Sequence, residues 1–314
     1  MISIESTQGL STVLDWLEFA QNQLIKSDLH FGHGYLDAKA EAISLISHAL
    51  DLDPAQIGDT ASCNLIQPST AQRQLLRERL NRRCADRLPL AYVNGEIVFH
   101  GRRFLCDQRA LIPRSLIAEL LDQQLAPWLV NADQVHKVLD LCTGGGSLAV
   151  FAHQAFSNAS IWASDISADA LSLARENLAL HHLDVTQITL IESDLFAGLG
   201  AQRFDLIISN PPYVNASSMA ALPSEFLVEP DGALGSGTDG MDIVRRIISD
   251  AHQYLHSDGL LVIEIGHEAQ HFIAAFAQYE FTFLPVEAGD DMVVAITLDE
   301  LIAGHKRRAN ASNR

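Results

Sequence analysis

The sequence predicts an α/β protein: a mostly parallel, seven-stranded sheet with helices on both faces, preceded by a small N-terminal helical domain. Three observations carry that expectation. From residue 114 onward short apolar runs alternate with helix-like segments, the pattern of parallel strands joined by helical crossovers. Two of those runs end in unusual turns, CTGGG at 142–146 and NPPY at 210–213. The first ~85 residues instead carry apolar side chains at helical spacing.

The helical part comes first. In STVLDWLEFAQNQLIK, Val13, Leu14, Trp16, Leu17 and Ala20 fall on one face, and Ser11 or Thr12 is the candidate N-cap. Gly32 and Gly34 break the chain before a second helix, expected from about Asp37 to Leu50. A third is expected in PSTAQRQLLRERLNRRCADR, capped by Ser69 or Thr70. It holds Arg73, Arg77, Arg79, Arg82, Arg83 and Arg87, a local basic cluster that reads as a solvated helix face rather than a functional patch. These elements define a helical domain over 1–88. In 89–113, Asn94-Gly95 and Gly101 separate short apolar runs, which predicts a β-hairpin connector.

The larger domain is expected over 114–302. It opens with a helix from about Ser115 to Leu129. Its strands are expected at 137–142, 160–165, 187–191, 204–209, 260–265, 281–286 and 292–297. The remainder, 303–314, is polar and basic and is expected to be a disordered tail.

Composition narrows the function classes. The formal charge is -18, which repels nucleic acid phosphates and attracts a basic partner. No stretch approaches the ~20 apolar residues of a membrane span. MISIESTQGL shows no basic stretch followed by an apolar run, so a cytoplasmic location is expected. Cys63, Cys84, Cys106 and Cys142 form no C-x-x-C pair, so neither a metal site nor a disulfide framework is expected. His267-Glu268-Ala269-Gln270-His271 matches H-E-x-x-H. It follows a strand at once and lacks a third-ligand motif, so it reads as an ordinary helix start.

KVLDLCTGGGSLAVFA is a strand running through a glycine turn into a helix. Gly144, Gly145 and Gly146 let the backbone approach a ligand closely, and the helix start offers free N–H groups. Some twenty residues on, Asp165 ends the next strand, where an acid commonly holds ribose hydroxyls. The nicotinamide fingerprint G-x-G-x-x-G is not matched, because Cys142 stands in the first glycine's place. DLCTGGG resembles instead the first motif of S-adenosylmethionine-dependent methyltransferases. Asp194, in IESDLFAG, reads equally as an acceptor for an adenine amino group or as a helix N-cap.

Asn210 closes a strand expected beside the first one. Its amide can donate and accept. Pro211 and Pro212 stiffen the backbone and leave rigidly aimed carbonyls, and Tyr213 offers a flat face or a phenolic tip. That set suits a planar –NH2 group whose two N–H bonds are accepted by the Asn oxygen and a proline carbonyl, turning the nitrogen lone pair toward a methyl donor.

NPPY after an apolar strand, downstream of DLCTGGG, resembles amino-methyltransferases acting on glutamine, adenine or guanine. FHGRRFLCDQRALIPRS, EPDGALGSGTDGMDIVRRI and the N-terminal FGHG resemble the HemK-type protein-(glutamine-N5) methyltransferases over nearly the whole chain. Release-factor methyltransferases of that family usually read Ile-Pro-Arg-Pro. Here Ile112-Pro113-Arg114-Ser115 with DLCTG and FGHG is more similar to the branch that methylates the third large-subunit ribosomal protein. The resemblance implies a Rossmann-like class I methyltransferase sheet and the cofactor S-adenosyl-L-methionine. It implies a basic ribosomal protein as substrate, free or in an assembling large subunit, with only incidental nucleic acid contact. Cofactor-binding residues would be Cys142, Thr143, Gly144, Gly145, Gly146, Asp165, Asp194, Leu195 and Asn210. Asn210, Pro211 and Tyr213 would act in catalysis, and Pro212 would join them in holding the glutamine amide. Gly145, Ser147 and Leu195 depart from the family pattern, relatives often having Trp at the last. The alternatives are a release-factor glutamine methyltransferase and a nucleic acid amino-methyltransferase.

Overall fold

The computed structural model describes residues 2–58, 60–129, 131–184, 186–230 and 232–312. The chain divides into two compact units. One comprises residues 1–99, 106–108 and 223–229, and the other 100–105, 109–222 and 230–314.

The first unit is helical. Helices Val13–Lys26, Ala38–Leu50 and Thr70–Cys84 form where apolar spacing places them. Two start in capping boxes, Thr12 with Asp15 and Ser69 with Gln72, and Asp37 caps the third. Each box satisfies N–H groups that have no intrahelical acceptor. Val13, Trp16, Ala20, Leu24, Leu45, Leu76 and Leu80 form the buried core. Short helices at Pro54–Gly58, Thr60–Leu65 and Leu90–Asn94 were not expected from the sequence. The last corrects the reading of Asn94-Gly95 as a hairpin turn: Gly95, at φ +79°, ends that helix and donates its N–H to Ala91 O.

Segment 223–229 is a second correction, because the sequence reading placed it in the larger domain. Within the helical unit the carboxylates of Glu225 and Glu229 find their partners. Arg87 lies 2.7 Å from Glu225, and His33 of FGHG lies 3.0 Å from Glu229. The unit boundary at residues 99–100 falls between two short strands, β1 (Glu96–Phe99) and β2 (Arg102–Leu105), on either side of the Gly101 turn.

The second unit carries the sheet. Its strands are β3 (Lys137–Leu141), β4 (Ser160–Asp165), β5 (Ile188–Glu192), β6 (Phe204–Ser209), β7 (Leu255–Glu264), β8 (Thr282–Phe283) and β9 (Val293–Thr297). Their order is β5-β4-β3-β6-β7-β9-β8. The first five run parallel, and β9 is antiparallel to both β7 and β8. The order reverses between β3 and β6, the kind of switch point where open α/β sheets bind ligands. Leu139, Leu141, Ile207, Leu261, Ile263 and Ile296 pack on one face against Val244, Ile247, Phe272 and Leu301.

Three expectations in this unit need correction. The helix expected to reach Leu129 spans only Ile117–Asp122, because Gln124 and Leu125 turn to positive φ and Pro127 cannot extend it. The strand expected at 281–286 shrinks to two residues. The tail is not disordered over its described residues: helix Leu298–Ser312 runs through it, anchored by buried Leu298 and Leu301. Asn313 and Arg314 lie outside the described residues.

Candidate active site

In-register pairing of β3 with β6 sets Leu141 beside Ser209, so the two strands end at the same edge of the sheet. The Ser209 hydroxyl donates to Leu141 O at 2.7 Å and ties the tips together. Beyond one tip runs Cys142–Gly146, beyond the other Asn210–Tyr213. Both border a cavity of about 420 Å³, within the range of small-molecule sites.

The glycine turn needs three left-handed residues in five: Cys142 at φ +63°, Gly144 at +54° and Gly146 at +81°. A Cβ on Gly146 would come within 3.1 Å of Ala174 Cβ, so glycine also permits the close packing of helix Ala168–Leu180. Asp165, at the end of β4, accepts from Gly144 N at 2.8 Å and from Ser167 N at 2.9 Å. Burial pushes its carboxyl up, and those N–H bonds oppose the rise. The buried amide of Asn177 braces the turn from behind, donating to Gly145 O at 2.9 Å. Asp140, fully buried on β3, accepts the Thr143 hydroxyl. Its carboxyl is pushed up to about 7 by burial.

At the end of β5, Asp194 pairs with Arg246 at 2.8 Å, both half exposed. The N-cap role considered for Asp194 has no helix to serve, because a series of turns joins β5 to β6, and the Ser193 hydroxyl holds that loop by accepting from Gly198 N at 2.8 Å. Leu195 is buried at φ +51°. At the end of β6, the carboxamide of Asn210 lines the cavity and has no hydrogen-bond partner among the described residues. Pro212 also lines it, whereas Pro211 is buried. The Tyr213 hydroxyl donates to Glu264 Oε1 at 2.9 Å, so the phenolic tip is engaged within the protein. Burial and Glu264 hold that phenol well above its ordinary pKa, so it stays neutral.

The segment after NPPY supports it. Val214 N donates to Leu234 O and Ser236 N donates to Val214 O. A Cβ on Gly240 would lie 2.0 Å from Tyr213 O, so only glycine lets the turn lie where it does.

The cavity thus brings together Cys142, Thr143, Gly144, Gly145, Asp165, Asp194, Leu195, Asn210 and Pro212. Gly146, Pro211 and Tyr213 stand outside its lining. The sequence reading missed Arg114, Ser115 and Arg246, which do line it, and Asp140, Asn177 and Glu264, which support it. Asp140 and Glu264 had a readable signal, a lone acid inside an apolar strand. A more open groove of about 670 Å³, lined by Arg245, Arg246, Arg307 and Arg308 among others, shares only Arg246 with the cavity.

The H-E-x-x-H stretch performs another task. Glu268 accepts from both the backbone N and Nδ2 of Asn215 and from His271, which anchors the far side of the NPPY loop. The arginine cluster is also engaged inside its own unit. Arg73 bonds Pro68 O, Arg79 bonds His48, and Arg82 bonds the Tyr92 and Val93 carbonyls. Arg83 and Arg87 hold Glu41 and Glu225.

Residues 118–239 match the family described as Methyltransferase small domain. The chain is 43% identical over 294 residues to a ribosomal protein uL3 glutamine methyltransferase of Bordetella pertussis, covering 94% of this chain and 97% of that one. It is 44% identical over 305 residues to the protein of the same name in Burkholderia pseudomallei, covering 95% and 98%. For the Neisseria gonorrhoeae protein of that name the identity is 39% over 298 residues, covering 95% and 98%. With this identity along nearly the full length of each relative, the chain belongs to the ribosomal protein uL3 glutamine methyltransferase family.

Proposed function

We propose that the protein transfers a methyl group from S-adenosyl-L-methionine to the side-chain amide nitrogen, N5, of a glutamine in ribosomal protein uL3. The observation that carries this reading is the Asn210 carboxamide, unpartnered within the described chain and lining the same cavity as the glycine turn. An amide held at a strand tip with both its donor and acceptor free suits a second planar amide.

The cavity fits the cofactor by its donor set. Asp165 would hold the ribose, the backbone of Thr143–Gly145 would allow close approach, and Leu195 with Ile166 would supply apolar surface, all of them lining the cavity. When bound, the cofactor supplies a methyl group on a sulfonium. The chain's own residues bind and orient. The Asn210 oxygen and a proline carbonyl accept the two N–H bonds of the target amide, which directs the nitrogen lone pair and raises its electron density. Tyr213, outside the cavity lining, would brace the turn that carries Asn210. No strong base is required, because the amide proton becomes acidic as the N–C bond forms and then leaves to solvent.

The helical unit would recognise the protein substrate. The net charge of -18 favours encounter with a basic ribosomal protein. Engagement of the arginine cluster inside its own unit counts against a nucleic acid as the methylated substrate.

Mass spectrometry of ribosomal proteins and release factors from cells lacking the chain tests the proposal, with action in the cytoplasm. The expected result is uL3 lighter by one methyl group at a single glutamine. Normal uL3 with unmethylated release factor, or with lost nucleic acid methylation, would overturn it.

A further inference from the structure

The phenol that ends NPPY is held by a residue with no part so far in the reaction. Glu264 closes β7 inside the apolar run LLVIEI and is 3% exposed. Ser209 pairs with Ile263 in the β6–β7 ladder, so Glu264 stands at the level of Asn210. Its Oε1 accepts the Tyr213 hydroxyl. Its Oε2 accepts the Ser115 hydroxyl at 2.6 Å and the Leu116 N–H at 2.8 Å. Desolvating a carboxylate so deeply costs several kcal/mol, and an apolar residue of similar volume would often be at least as stable there. Stability alone gives no reason for an acid.

The geometry gives one. Arg114 and Ser115 form one wall of the cavity, and Asn210 and Pro212 form another. A single carboxylate bonds to residues of both stretches, to the Tyr213 hydroxyl on one side and to the Ser115 hydroxyl and Leu116 N–H on the other. Gly266, at φ +51°, makes room for the arrangement, since a Cβ there would lie 2.5 Å from the Tyr213 ring. Glu268 pins the same loop two residues further on, through Asn215.

We propose that Glu264 is a positioning residue for methyl transfer. It touches neither substrate nor cofactor. Through Tyr213 on one side and Ser115–Leu116 on the other, it fixes the target-amide turn against the opposite wall of the cavity, so that acceptor and donor are held at one separation. The inference rests on the proposed methyl transfer to an amide. Its consequence is kinetic, because a displacement of about 1 Å between reacting groups can cost on the order of 10²-fold in rate.

The test compares Glu264→Met, Glu264→Gln, Tyr213→Phe and the Met/Phe double variant in the full chain with purified uL3. Methionine fills the space and abolishes the bridge. Glutamine preserves it: its oxygen accepts from Ser115 and Leu116, and its NH2 donates to a rotated Tyr213 hydroxyl. Expected are a 10- to 100-fold lower kcat for Glu264→Met, with cofactor Kd and substrate KM changed by no more than about threefold. Glu264→Gln should recover to within about fivefold of wild type, and the double variant should be no slower than Glu264→Met. Unchanged kcat in Glu264→Met, a Gln variant as slow as Met, or losses that multiply in the double variant would each overturn the inference. Hydrogen exchange supplies a readout that needs no substrate: 112–117 and 210–216 should quicken together in Glu264→Met and in neither stretch in Glu264→Gln. A wild-type chain that methylates no glutamine sinks the proposed function instead. The exchange pattern then decides Glu264, with unchanged rates overturning its role.

Discussion

Replacing Arg83 by methionine should destabilise the helical unit by about 3–5 kcal/mol, the cost of removing one partner from a buried ion pair. Arg83 is fully buried. Its Nε and Nη2 donate to the two oxygens of Glu41 at 2.7 and 3.0 Å, Nη2 also donates to His30 O at 2.9 Å, and Nη1 stands 3.8 Å from Glu225. Methionine fills most of the volume, so the loss is electrostatic rather than a cavity. Glu225 keeps Arg87, whereas Glu41 keeps no cation among the described residues and bears the cost. Burial already pushes the Glu41 carboxyl up, and the bonds to Arg83 hold it down. Without Arg83 its pKa must rise further.

The sign follows from that. A carboxyl raised in the folded state contributes stability that is complete below its ordinary value and is lost as pH rises through the folded value. The deficit of Arg83→Met is therefore greatest at high pH and shrinks on acidification, as Glu41 takes up a proton and needs no partner. Urea unfolding followed by Trp16 fluorescence, with Trp128 and Trp162 replaced by Phe, reads this unit directly. Adding Glu41→Leu to Arg83→Met should restore most of the loss. A deficit below about 1 kcal/mol, or one that grows on acidification, would refute the reasoning and return Arg83 to the solvated face that the sequence suggested.

Asn210→Ala should keep cofactor affinity within about threefold while methyl transfer falls on the order of 10²-fold or more; equilibrium binding beside single-turnover kinetics checks this, and near-normal turnover removes Asn210 from the mechanism. Asp165→Ala should weaken S-adenosylmethionine binding by about 2–3 kcal/mol, from lost bonds to a charged acceptor and a loosened Gly144; calorimetric affinity within twofold of wild type contradicts it. For Asp140, whose carboxyl rises from 3.8 to about 7, the stabilising contribution is complete below the lower value and lost as pH climbs through the upper one. The stability of wild type relative to Asp140→Asn should therefore decline between those two pH values, as read by chemical denaturation; a constant difference across that window argues against the assignment.

Much of the scaffold was legible because its signals are local. Thr12-x-x-Asp15 and Ser69-x-x-Gln72 write two helix starts into four residues each. The parallel strands are short apolar runs ended by Gly or polar residues, and β4 and β6 span the predicted residues. Thr297-x-x-Glu300 is a reciprocal cap of the same kind, with Glu300 Oε2 accepting from Thr297 N at 2.7 Å. It opens the helix that replaces the expected disordered tail. The short helix at 54–58 does carry a start marker, Asp53 before Pro54 with Asp53 Oδ1 accepting from Ala55 N at 2.8 Å, whereas that at 90–94 has no side-chain cap. They are too short to persist without packing, and Ile57, Leu90 and Val93 supply it by reaching the core.

From the sequence alone came the elements, the two chemically loaded turns and the acid at the end of β4. Each rests on propensity, capping or alternation within a dozen residues. Tertiary structure decided which turns meet. Parallel strands pair through crossovers whose length does not specify a neighbour, so only the ladder of β3 with β6 puts Gly144 and Asn210 on one cavity. It also decided what the buried charges are for, because their partners are remote in the chain. Glu264 reaches Ser115 across 149 positions and Tyr213 across 51, and Arg83 reaches Glu41 across 42. A charge shows its sign in the sequence, but its solvation, and hence its role, exists only once the chain has closed around it.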